Sequence, residues 1–495
     1  MTNEAGMTNI CIGEVMLKTH YVKDLNRKLI GKEVELAGWV HLRRDHGKIT
    51  FIDLRDSTGV AQVVVFGKNE ELNKAIKEIG LEYCLQVKGK VNERPEGMKN
   101  DKIPSGDVEI EAESIEILSK SKTPPFEISK GTKDVKEELR LKYRYLDLRS
   151  ERMNKNIKLR HEIVKFIREY LYKKGFTEIE TPYITKSTPE GAREFVIPSR
   201  LYPGEFYVLP QSPQQFKQLL MVAGFERYFQ VARCFRDEDQ RGDRQPEFTQ
   251  LDLEMSFIEQ EDILQLIEAM MIEMVKNVVP DKKIKEDPFP RINYFDSQEK
   301  YKSDKPDLRS DKNNKDELAF CWIINKPLFV KSKGSGKLVS DHHPFTMPQK
   351  EDLELLDKDP SKVKAYSYDL VLNGFEIAGG SIRIHTREIQ DKVFKILGVN
   401  QEEMERRFGH MLDAFEYGAP PHGGIAPGID RIATILAGED VIREAMAFPK
   451  TGDARDLMMG APSPISEQQL KDVNIELSKK AKGKEIKGSD TETND

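Results

Sequence analysis

Along the first quarter of the chain, apolar and polar residues alternate, and this period of two predicts β-strands. The predicted strands are residues 34–42, 49–54, 60–66, 83–91 and 108–118. Between the third and fourth strands, Leu72, Ile76 and Ile79 recur at helical spacing and predict a short helix. Turn residues at 45–47 and 57–59 separate the first three strands, which therefore form a meander.

This order of three strands, a helix and two strands is that of an OB-fold, whose open face commonly binds single-stranded nucleic acid. Many small β-barrels share the order, so the pattern alone leaves other functions open. Aromatic and charged side chains interleave on the candidate face, as the stacking of unpaired bases requires. They are Trp39, His41, Arg43, Arg44, Phe51, Asp53 and Arg55. We expect one of the two aromatic residues, Trp39 or Phe51, to belong to the core instead.

A second domain is predicted to follow residues 119–137, whose adjacent prolines and polar residues are typical of a linker. Apolar residues at helical spacing from Ile163 to Leu171 predict a helix that ends at Gly175. The pattern further predicts a strand at 178–182, a helix at 214–223 and a polar, irregular stretch at 276–318.

The bulk composition narrows the class of protein. The 495 residues exceed one ordinary domain, and 33% are charged against 38% hydrophobic. We find no long uncharged apolar run and no signal segment, so we expect a cytoplasmic protein without a membrane partner. The net charge of -6 argues against indiscriminate nucleic-acid binding but allows a local basic patch. Cys11, Cys84, Cys234 and Cys321 lie far apart, which favours buried free thiols.

The chemistry centres on residues 235–238, followed by a polar loop with Arg241 and then by residues 244–248. An arginine and two acids on a strand, with a return strand starting at Phe248, can grip a nucleoside triphosphate from two sides. Arg236 can offer its planar fork to a carboxylate and an α-phosphate at once. This stretch resembles motif 2 of the class II aminoacyl-tRNA synthetases.

Two further stretches resemble motifs of the same class. The predicted helix ending at Gly175 and the strand up to Pro182 are similar to motif 1, which in that class forms the dimer interface and implies a homodimer. Residues 423–431 open a helix with glycines that let the backbone approach a nucleotide, and Arg431 adds a fixed cation. This stretch resembles motif 3.

A tight turn separates Asp369 from Glu376, and hard carboxylates of this kind suit Mg²⁺ bound together with phosphate oxygens. Arg383, seven residues past Glu376, requires a buried anion. The His342 and His343 pair could suggest a metal site, but Pro344 and the lack of a third ligand favour a flexible substrate-sensing loop.

Residues 188–193 and 210–218 are similar to the amino-acid pocket of aspartyl-tRNA synthetases. With the three motifs in order, the chain resembles the bacterial type of this family from about Cys11 to Leu477. The resemblance implies an α+β protein with an OB-fold anticodon-binding domain at 1–118 and a class II catalytic domain at 138–477. That domain is built on a mostly antiparallel sheet flanked by helices.

The chain departs from the bacterial pattern in its polar stretch at 276–318. The large insertion domain is missing near 310–319, which puts the bacterial-type accessory tRNA contacts in doubt. The tail, 478–495, is polar and expected to be disordered.

The resemblance also assigns roles to residues. For aspartate it implies Glu190, Ser212, Gln214, Lys217, Arg236, Asp252, His342 and Arg383. For ATP it implies Arg236, Asp237, Glu238, Gln245, Glu376, Gly428, Ile429, Asp430 and Arg431. Arg236, Glu376 and Arg431 would be catalytic, and Asp369 and Glu376 would hold Mg²⁺. His46 and Gly97 match the positions that govern tRNA discrimination.

The implied reaction joins aspartate to ATP as aspartyl-adenylate and then moves aspartyl to the 3′ end of tRNA(Asp). Histidine at 46 and glycine at 97 resemble members that also charge tRNA(Asn), whose product goes to an Asp-tRNA(Asn) amidotransferase. A discriminating enzyme that charges tRNA(Asp) only is the main alternative.

Four other functions are disfavoured. Lysine would place an ammonium against Lys217 and Arg383, and asparagine would leave these two cations facing a neutral amide. An inactive tRNA-binding paralogue would be free to lose Arg236, Glu376 or Arg431, yet all three are present. A related ammonia-dependent asparagine synthetase lacks the OB-fold.

Overall fold

The computed structural model describes residues 17–478, apart from 68, 69, 102, 104, 188–190, 240, 241, 333 and 335. By compactness the chain divides into two units, Met1–Glu151 and Arg152–Asp495. In the part of the chain that the structure describes, no helix has the length and apolar character to cross a membrane. Cys11 and the predicted tail beyond 478 lie outside the described residues.

The first unit contains a closed barrel of five strands in the order β1-β2-β3-β5-β4. Its elements are β1 (Glu33–His46), β2 (Ile49–Arg55), β3 (Val60–Phe66), α1 (Glu70–Glu78), β4 (Cys84–Glu93) and β5 (Val108–Ser119). Neighbours are antiparallel except β3 and β5. Short helices α2 (Glu137–Lys142) and α3 (Arg144–Asp147) follow. The predicted OB-fold is confirmed.

The alternation in β1 fills the barrel with Val34, Leu36 and Val40, all at most 1% exposed. Gly38 lies on the same strand, and a Cβ there would come within 2.3 Å of the Arg55 carbonyl oxygen in β2. Trp39 falls on the opposite phase of the alternation and is only half-buried, as is Phe51. The expectation that one of these aromatic residues belongs to the core is therefore wrong.

The second unit is built on an eight-stranded sheet in the order β12-β14-β17-β18-β19-β10-β9-β6. The strands are β6 (Thr177–Glu178), β9 (Arg227–Phe235), β10 (Glu247–Ser256), β12 (Arg291–Asn293), β14 (Phe320–Ile324), β17 (Ser367–Leu372), β18 (Phe375–Ile382) and β19 (His422–Pro427). Within this sheet, the described strands pair in parallel only at the two edges, β12 with β14 and β6 with β9. The mostly antiparallel sheet matches the prediction.

Helices and small ribbons complete this unit. The helices are α4 (Glu151–Lys173), α5 (Gln214–Val222), α6 (Gln260–Val278), α7 (Tyr294–Tyr301), α8 (Leu355–Lys358), α9 (Arg387–Ile396), α10 (Gln401–Phe415), α11 (Ile429–Leu436) and α12 (Glu467–Asp472). The ribbons pair β7 (Val196–Pro198) with β8 (Phe206–Val208), β11 (Lys283–Ile284) with β13 (Glu317–Leu318), and β15 (Phe329–Lys331) with β16 (Leu338–Ser340).

The central sheet has one apolar and one polar face, and β10 shows how the sequence sets this. Leu251 and Leu253 pack into the main core with apolar residues of α4, α6 and α11. Because side chains alternate along a strand, Asp252 and Glu254 point to the opposite face. Both are fully buried there, so this face holds charged groups beneath the surface.

Two local predictions are wrong. The strand expected at 178–182 is reduced to Thr177–Glu178. The stretch at 276–318, expected to be irregular, contains the end of α6, the short strands β11 and β12, and α7. Helix α7 buries only Ser297, so it has no apolar stripe from which a helical period could be recognised.

Among the described residues the cysteines form no disulfide, as predicted. Cys234 and Cys321 are buried, and Cys84 is only half-buried.

Candidate active site

A cleft of about 380 Å³ opens on the polar face of the sheet in the second unit. It gathers predicted residues from motifs far apart in sequence: Ser212, Gln214, Lys217, Arg236, Glu238, Gln245, Asp252, His342, Glu376, Arg383, Gly428, Asp430 and Arg431. Asp237, Asp369 and Ile429 do not line it. Glu190 and Arg241 lie outside the described residues.

Four buried charges lie at the floor of the cleft, where three of them line it and Glu254 lies directly behind. The Lys217 ammonium lies 2.9 Å from Asp252 Oδ2 and 3.4 Å from Glu254 Oε2. Arg383 Nε donates to Glu254 Oε1 at 2.9 Å. All four residues are at most 1% exposed. Glu254 is thus the anion that Arg383 was predicted to need, and sequence reasoning did not identify it. Its position two residues after Asp252, on the same face of β10, was the available signal.

The protonation of these groups follows from their surroundings. Burial raises the pKa of Asp252, although Lys217 opposes the shift. Burial also acts to raise the pKa of Glu254, but Arg383 and Lys217 outweigh it, so that pKa lies below its ordinary value. Glu254 therefore stays ionised between two cations.

Two neutral histidines close this end of the cleft. Burial, together with Lys326 and Arg383, lowers the pKa of His342 well below its usual value. Burial and Arg383 do the same for His343. The Arg383 guanidinium donates to His343 Nε2, so His343 buttresses the arginine. The pair therefore adds no charge to the floor of the cleft.

The motif 2 hairpin supplies the opposite wall. The Arg236 guanidinium lies 5.2 Å from the Phe248 ring centroid, a cation–π contact that orients its plane. Arg244 contacts Glu238 at 3.1 Å, across the loop that joins β9 to β10. Among the described residues, Arg236 Nε is buried and has no hydrogen-bond partner. Such a donor is suited to an anion in the cleft.

Motif 3 places Arg431 at the start of α11. Its guanidinium donates to the Glu376 carbonyl oxygen and to Asp243 Oδ2, the latter at 3.2 Å. Its Nε is buried and, within the described residues, has no hydrogen-bond partner. Arg431 therefore links motif 3 to the β17–β18 hairpin.

The β17–β18 hairpin carries the two predicted metal ligands. Its turn, Asn373–Gly374, has left-handed φ values of 52° and 85°, the geometry of a tight two-residue hairpin. A Cβ on Gly379 would lie 3.2 Å from both Asp369 Oδ1 and His342 Nε2, and 3.6 Å from Glu376 Oε1. The glycine thus lets three polar groups converge.

Each of these carboxylates already contacts a lysine that sequence reasoning missed. Lys326 Nζ lies 2.7 Å from Asp369 Oδ2, and Lys305 Nζ lies 3.2 Å from Glu376 Oε2. Burial raises the pKa of Asp369 to about 7, although Lys326 opposes the shift. In the described part of the chain, no three His, Cys, Asp or Glu side chains are arranged to hold a metal. The carboxylates therefore fit Mg²⁺ only if a nucleotide supplies further oxygen ligands.

Two predicted ATP contacts have side chains that are used inside the protein. Asp430 accepts from the Thr249 backbone N–H at 2.6 Å and from Arg160 at 2.8 Å. The Gln245 amide bonds to both backbone groups of Lys450. These side chains hold motifs 2 and 3 in place, and their contact with ATP stays a prediction.

In the barrel, two of the arginines predicted to contact nucleic acid already bond to other groups of the protein. Arg43 donates to the carbonyls of Ile76 and Ile79, both at 2.7 Å, and so caps α1. Arg55 pairs with buried Glu82 at 2.6 Å. Structural bonds therefore occupy these two arginines, which were predicted to lie on a base-stacking face.

The two residues assigned to tRNA discrimination are exposed, His46 at the end of β1 and Gly97 in a turn. The His46 ring packs edge-on against Phe51, with centroids 5.8 Å apart. Gly97 has φ +86°, and a Cβ there would meet nothing within 4 Å. The left-handed backbone by itself favours glycine at this turn, whatever its role in recognition.

Comparison with known proteins agrees with the fold and the cleft. Residues 136–452 match the family "tRNA synthetases class II (D, K and N)", and residues 34–118 match "OB-fold nucleic acid binding domain". The chain therefore belongs to the class II aminoacyl-tRNA synthetases of the aspartate, lysine and asparagine group.

Within that class, the similar relatives carry a more specific name. "Aspartate--tRNA(Asp/Asn) ligase" of Rubrobacter xylanophilus is 44% identical, with 93% of this chain and 97% of the relative covered. The protein of the same name from Dictyoglomus turgidum is 43% identical, with 93% and 98% covered. These alignments extend over 583 and 585 residues, whereas this chain has 495. The relatives therefore contain stretches that this chain lacks, in keeping with a missing insertion.

Solved structures share the fold. Asparaginyl-tRNA synthetase of Pyrococcus horikoshii, complexed with asparaginyl-adenylate, has a TM-score of 0.71 at 24% identity, with 88% of this chain and 99% of that chain covered. A putative aspartyl-tRNA synthetase of Leishmania major has a TM-score of 0.69 at 23% identity, with 91% and 96% covered. Because these structures include both specificities, the fold does not identify the amino acid.

Proposed function

We propose that this protein is an aspartate–tRNA ligase. It would join L-aspartate to ATP, releasing pyrophosphate, and transfer the aspartyl group from the adenylate to the 3′ end of tRNA(Asp). The observation that carries the proposal is the buried group of Lys217, Arg383, Asp252 and Glu254 at the floor of the cleft. The name shared by relatives of 43–44% identity supports it.

The charges on the floor match zwitterionic aspartate. Lys217 and Arg383 would receive its side-chain carboxylate, while Asp252 Oδ1, which is buried with no hydrogen-bond partner among the described residues, would accept the ammonium. Arg236 would bind the α-carboxylate. Ser212, Gln214, His342 and Glu190 would complete this pocket. Lysine would bring a second ammonium to a site that already holds two cations.

The nucleotide would lie across the remaining part of the cleft. Arg236 would touch the α-phosphate and Arg431 the γ-phosphate, with Glu238 and Gln245 on the motif 2 side. The aspartate carboxylate itself attacks the α-phosphate, so no protein nucleophile is needed. The chain contributes alignment and neutralisation of charge. Bound Mg²⁺, held by Glu376 and Asp369 with phosphate oxygens, would neutralise charge on the departing pyrophosphate.

The barrel would read the anticodon, and His46 and Gly97 would admit tRNA(Asn) as well as tRNA(Asp). The name of the relatives supports this extension. Asp-tRNA(Asn) would then pass to an amidotransferase. A homodimer joined through α4 and the strand after it, and a cytoplasmic location, complete the proposal.

ATP–pyrophosphate exchange tests the amino acid. The purified protein is assayed with aspartate, asparagine and lysine in turn, and we expect exchange with aspartate alone. Omitting the amino acid gives the background. Asparagine-dependent exchange at a rate comparable to that of aspartate would make the protein an asparaginyl-tRNA synthetase and contradict the proposal.

A further inference from the structure

A buried lysine with no role in the proposed reaction lies behind the cleft. Lys326 follows β14, is 8% exposed, and places its ammonium 2.7 Å from Asp369 Oδ2 and 3.3 Å from Asp341 Oδ2. Burial favours the neutral amine, but the carboxylates outweigh it and raise the pKa of Lys326. The side chain is thus a fixed cation between two segments of the site.

The first of these segments is β17, which carries Asp369. Lys326 takes one carboxylate oxygen of Asp369, the Oδ2 atom. The other, Oδ1, is on the side of Gly379, where His342 Nε2 and Glu376 Oε1 also converge. One oxygen of Asp369 therefore stays on the side of Gly379, which lines the cleft although Asp369 itself does not, and a ligand would reach this oxygen past the glycine.

The second segment is the loop that carries the histidines. Asp341 directly precedes His342, and its backbone N–H donates to the Leu328 carbonyl at 3.1 Å. Because one ammonium contacts both Asp341 and Asp369, the position of the His342 loop is coupled to that of the Asp369 carboxylate.

We propose that Lys326 is a positioning residue that leaves Asp369 a single free oxygen and ties the His342 loop to that carboxylate. Its charge offsets part of the negative charge of Asp341, Asp369 and Glu376. A divalent ion is consequently held poorly until a nucleotide adds phosphate ligands. The inference rests on the proposed function for what Asp369 and His342 bind.

The first test needs no substrate: Mn²⁺ binding to the full-length, nucleotide-free protein. Lys326→Met removes the ammonium, and we expect Mn²⁺ to bind about tenfold more tightly or better than in the wild type, because a repelling charge beside Asp369 is gone. Lys326→Arg keeps the charge and should resemble the wild type. Lys282→Met is a matched control, because Lys282 and Lys326 side chains are both 10% exposed and Lys282 pairs with Asp316 at 3.1 Å, outside the cleft lining.

The second test is pyrophosphate exchange. Lys326→Met should raise the KM for aspartate or lower kcat by about 10- to 100-fold, as loss of groups that orient ligands does. The KM for ATP should stay within about twofold, because Arg236 and Arg431 are unchanged. Asp341→Asn keeps the Lys326–Asp369 pair but removes a negative charge, so it should raise the KM for aspartate and weaken Mn²⁺ binding, the opposite direction to Lys326→Met.

Thermal melting shows whether each variant folds. If Lys326→Met does not, Lys326→Gln takes its place, since it removes the charge and keeps a donor for Asp369. Unchanged Mn²⁺ affinity in the folded neutral variant would overturn the metal part, and unchanged aspartate KM in Asp341→Asn would overturn the loop part. If the wild type activates a different amino acid, the proposed function fails, while the Mn²⁺ result still decides the role of Lys326.

Discussion

Lys217, Asp252, Glu254 and Arg383 form two linked ion pairs that solvent does not reach. Removing one member of a buried pair leaves its partner charged and unpaired in a medium of low dielectric, whereas water would compensate for such a loss at the surface. These residues therefore contribute to stability as well as to the proposed binding of aspartate. Their effects on the two properties have to be measured separately.

We expect Lys217→Met and Arg383→Leu each to abolish aspartate activation. Lys217→Met leaves Asp252 without its cation, and Arg383→Leu leaves Glu254 with only Lys217, at 3.4 Å. Loss of one member of a buried pair typically costs about 3–5 kcal/mol, so the melting temperature falls as well. ATP binding, which involves Arg236 and Arg431, should stay largely intact. Pyrophosphate exchange measures the first effect, thermal melting the second and calorimetry with ATP the third.

Lys282→Met again provides the control for loss of a shielded ammonium outside the cleft. Wild-type exchange in a folded Lys217→Met or Arg383→Leu protein would show that the residue concerned does not meet aspartate.

Glu376 is the residue on which the metal proposal depends most. We expect Glu376→Gln to lower the rate of adenylate formation more than it weakens aspartate binding, because a metal on the phosphates acts mainly on charge that develops in the transition state. Single-turnover adenylate formation at saturating Mg²⁺, together with the KM for aspartate, separates the two effects. An unchanged rate would place the metal elsewhere.

At the scale of elements, the β17–β18 hairpin contains two adjacent glycines with different roles, one beside the proposed catalytic groups and one in the packing of strands. Gly379 faces Asp369 and His342, whereas a Cβ on Gly380 would lie 2.3 Å from the Gly424 carbonyl oxygen of β19. One glycine gives room to functional side chains, and the next lets two strands approach. Neither conformation needs a left-handed φ, so close contact is the reason for glycine at both positions.

Substitution of these two glycines should therefore separate activity from stability. Gly379→Ala is expected to reduce pyrophosphate exchange with little change in melting temperature, because side chains at 3.2 Å can yield. Gly380→Ala is expected to destabilise the fold by about 1–3 kcal/mol, because the backbone of β19 cannot yield as easily. Melting and exchange are measured on both proteins. Equal loss of stability in the two variants would refute this division.

The elements and residues that sequence reasoning found share a local signal. The barrel strands alternate clearly between apolar and polar residues, and each glycine-rich or arginine-bearing motif is a short, contiguous stretch of the sequence. Helix α7 was missed because it has no apolar stripe. Lys305 and Lys326 were missed because each meets its carboxylate only after distant segments fold together. The pattern of residues around a lysine does not show which distant carboxylate it will contact in the folded protein.

At the scale of the whole molecule, the two units have different roles in the proposed reaction. The second unit contains the cleft for aspartate and ATP, and the barrel carries the residues assigned to the anticodon. The choice of amino acid and the choice of tRNA are thus assigned to separate parts of the chain. Substitutions in the barrel should change tRNA charging without changing adenylate formation.

We expect the wild type to aspartylate tRNA(Asn) and tRNA(Asp) transcripts at comparable rates. The anticodons differ only at the third base, and His46 can donate to or accept from either a C or a U edge. His46→Leu removes this capacity and should change the ratio of the two rates while leaving pyrophosphate exchange unaffected. Charging of tRNA(Asn) orders of magnitude slower than tRNA(Asp) would make the enzyme discriminating.

The alternation of apolar and charged residues along β10 has a consequence for how the protein can misfold. A slip of one residue in its pairing with β9 would turn Asp252 and Glu254 into the apolar layer and bring Leu251 and Leu253 to the cleft. Such a species would lose its core and its substrate pocket in the same event. Misregistered molecules should therefore show no aspartate activation. The specific activity of a preparation would then report the fraction of chains in which β10 has its native register.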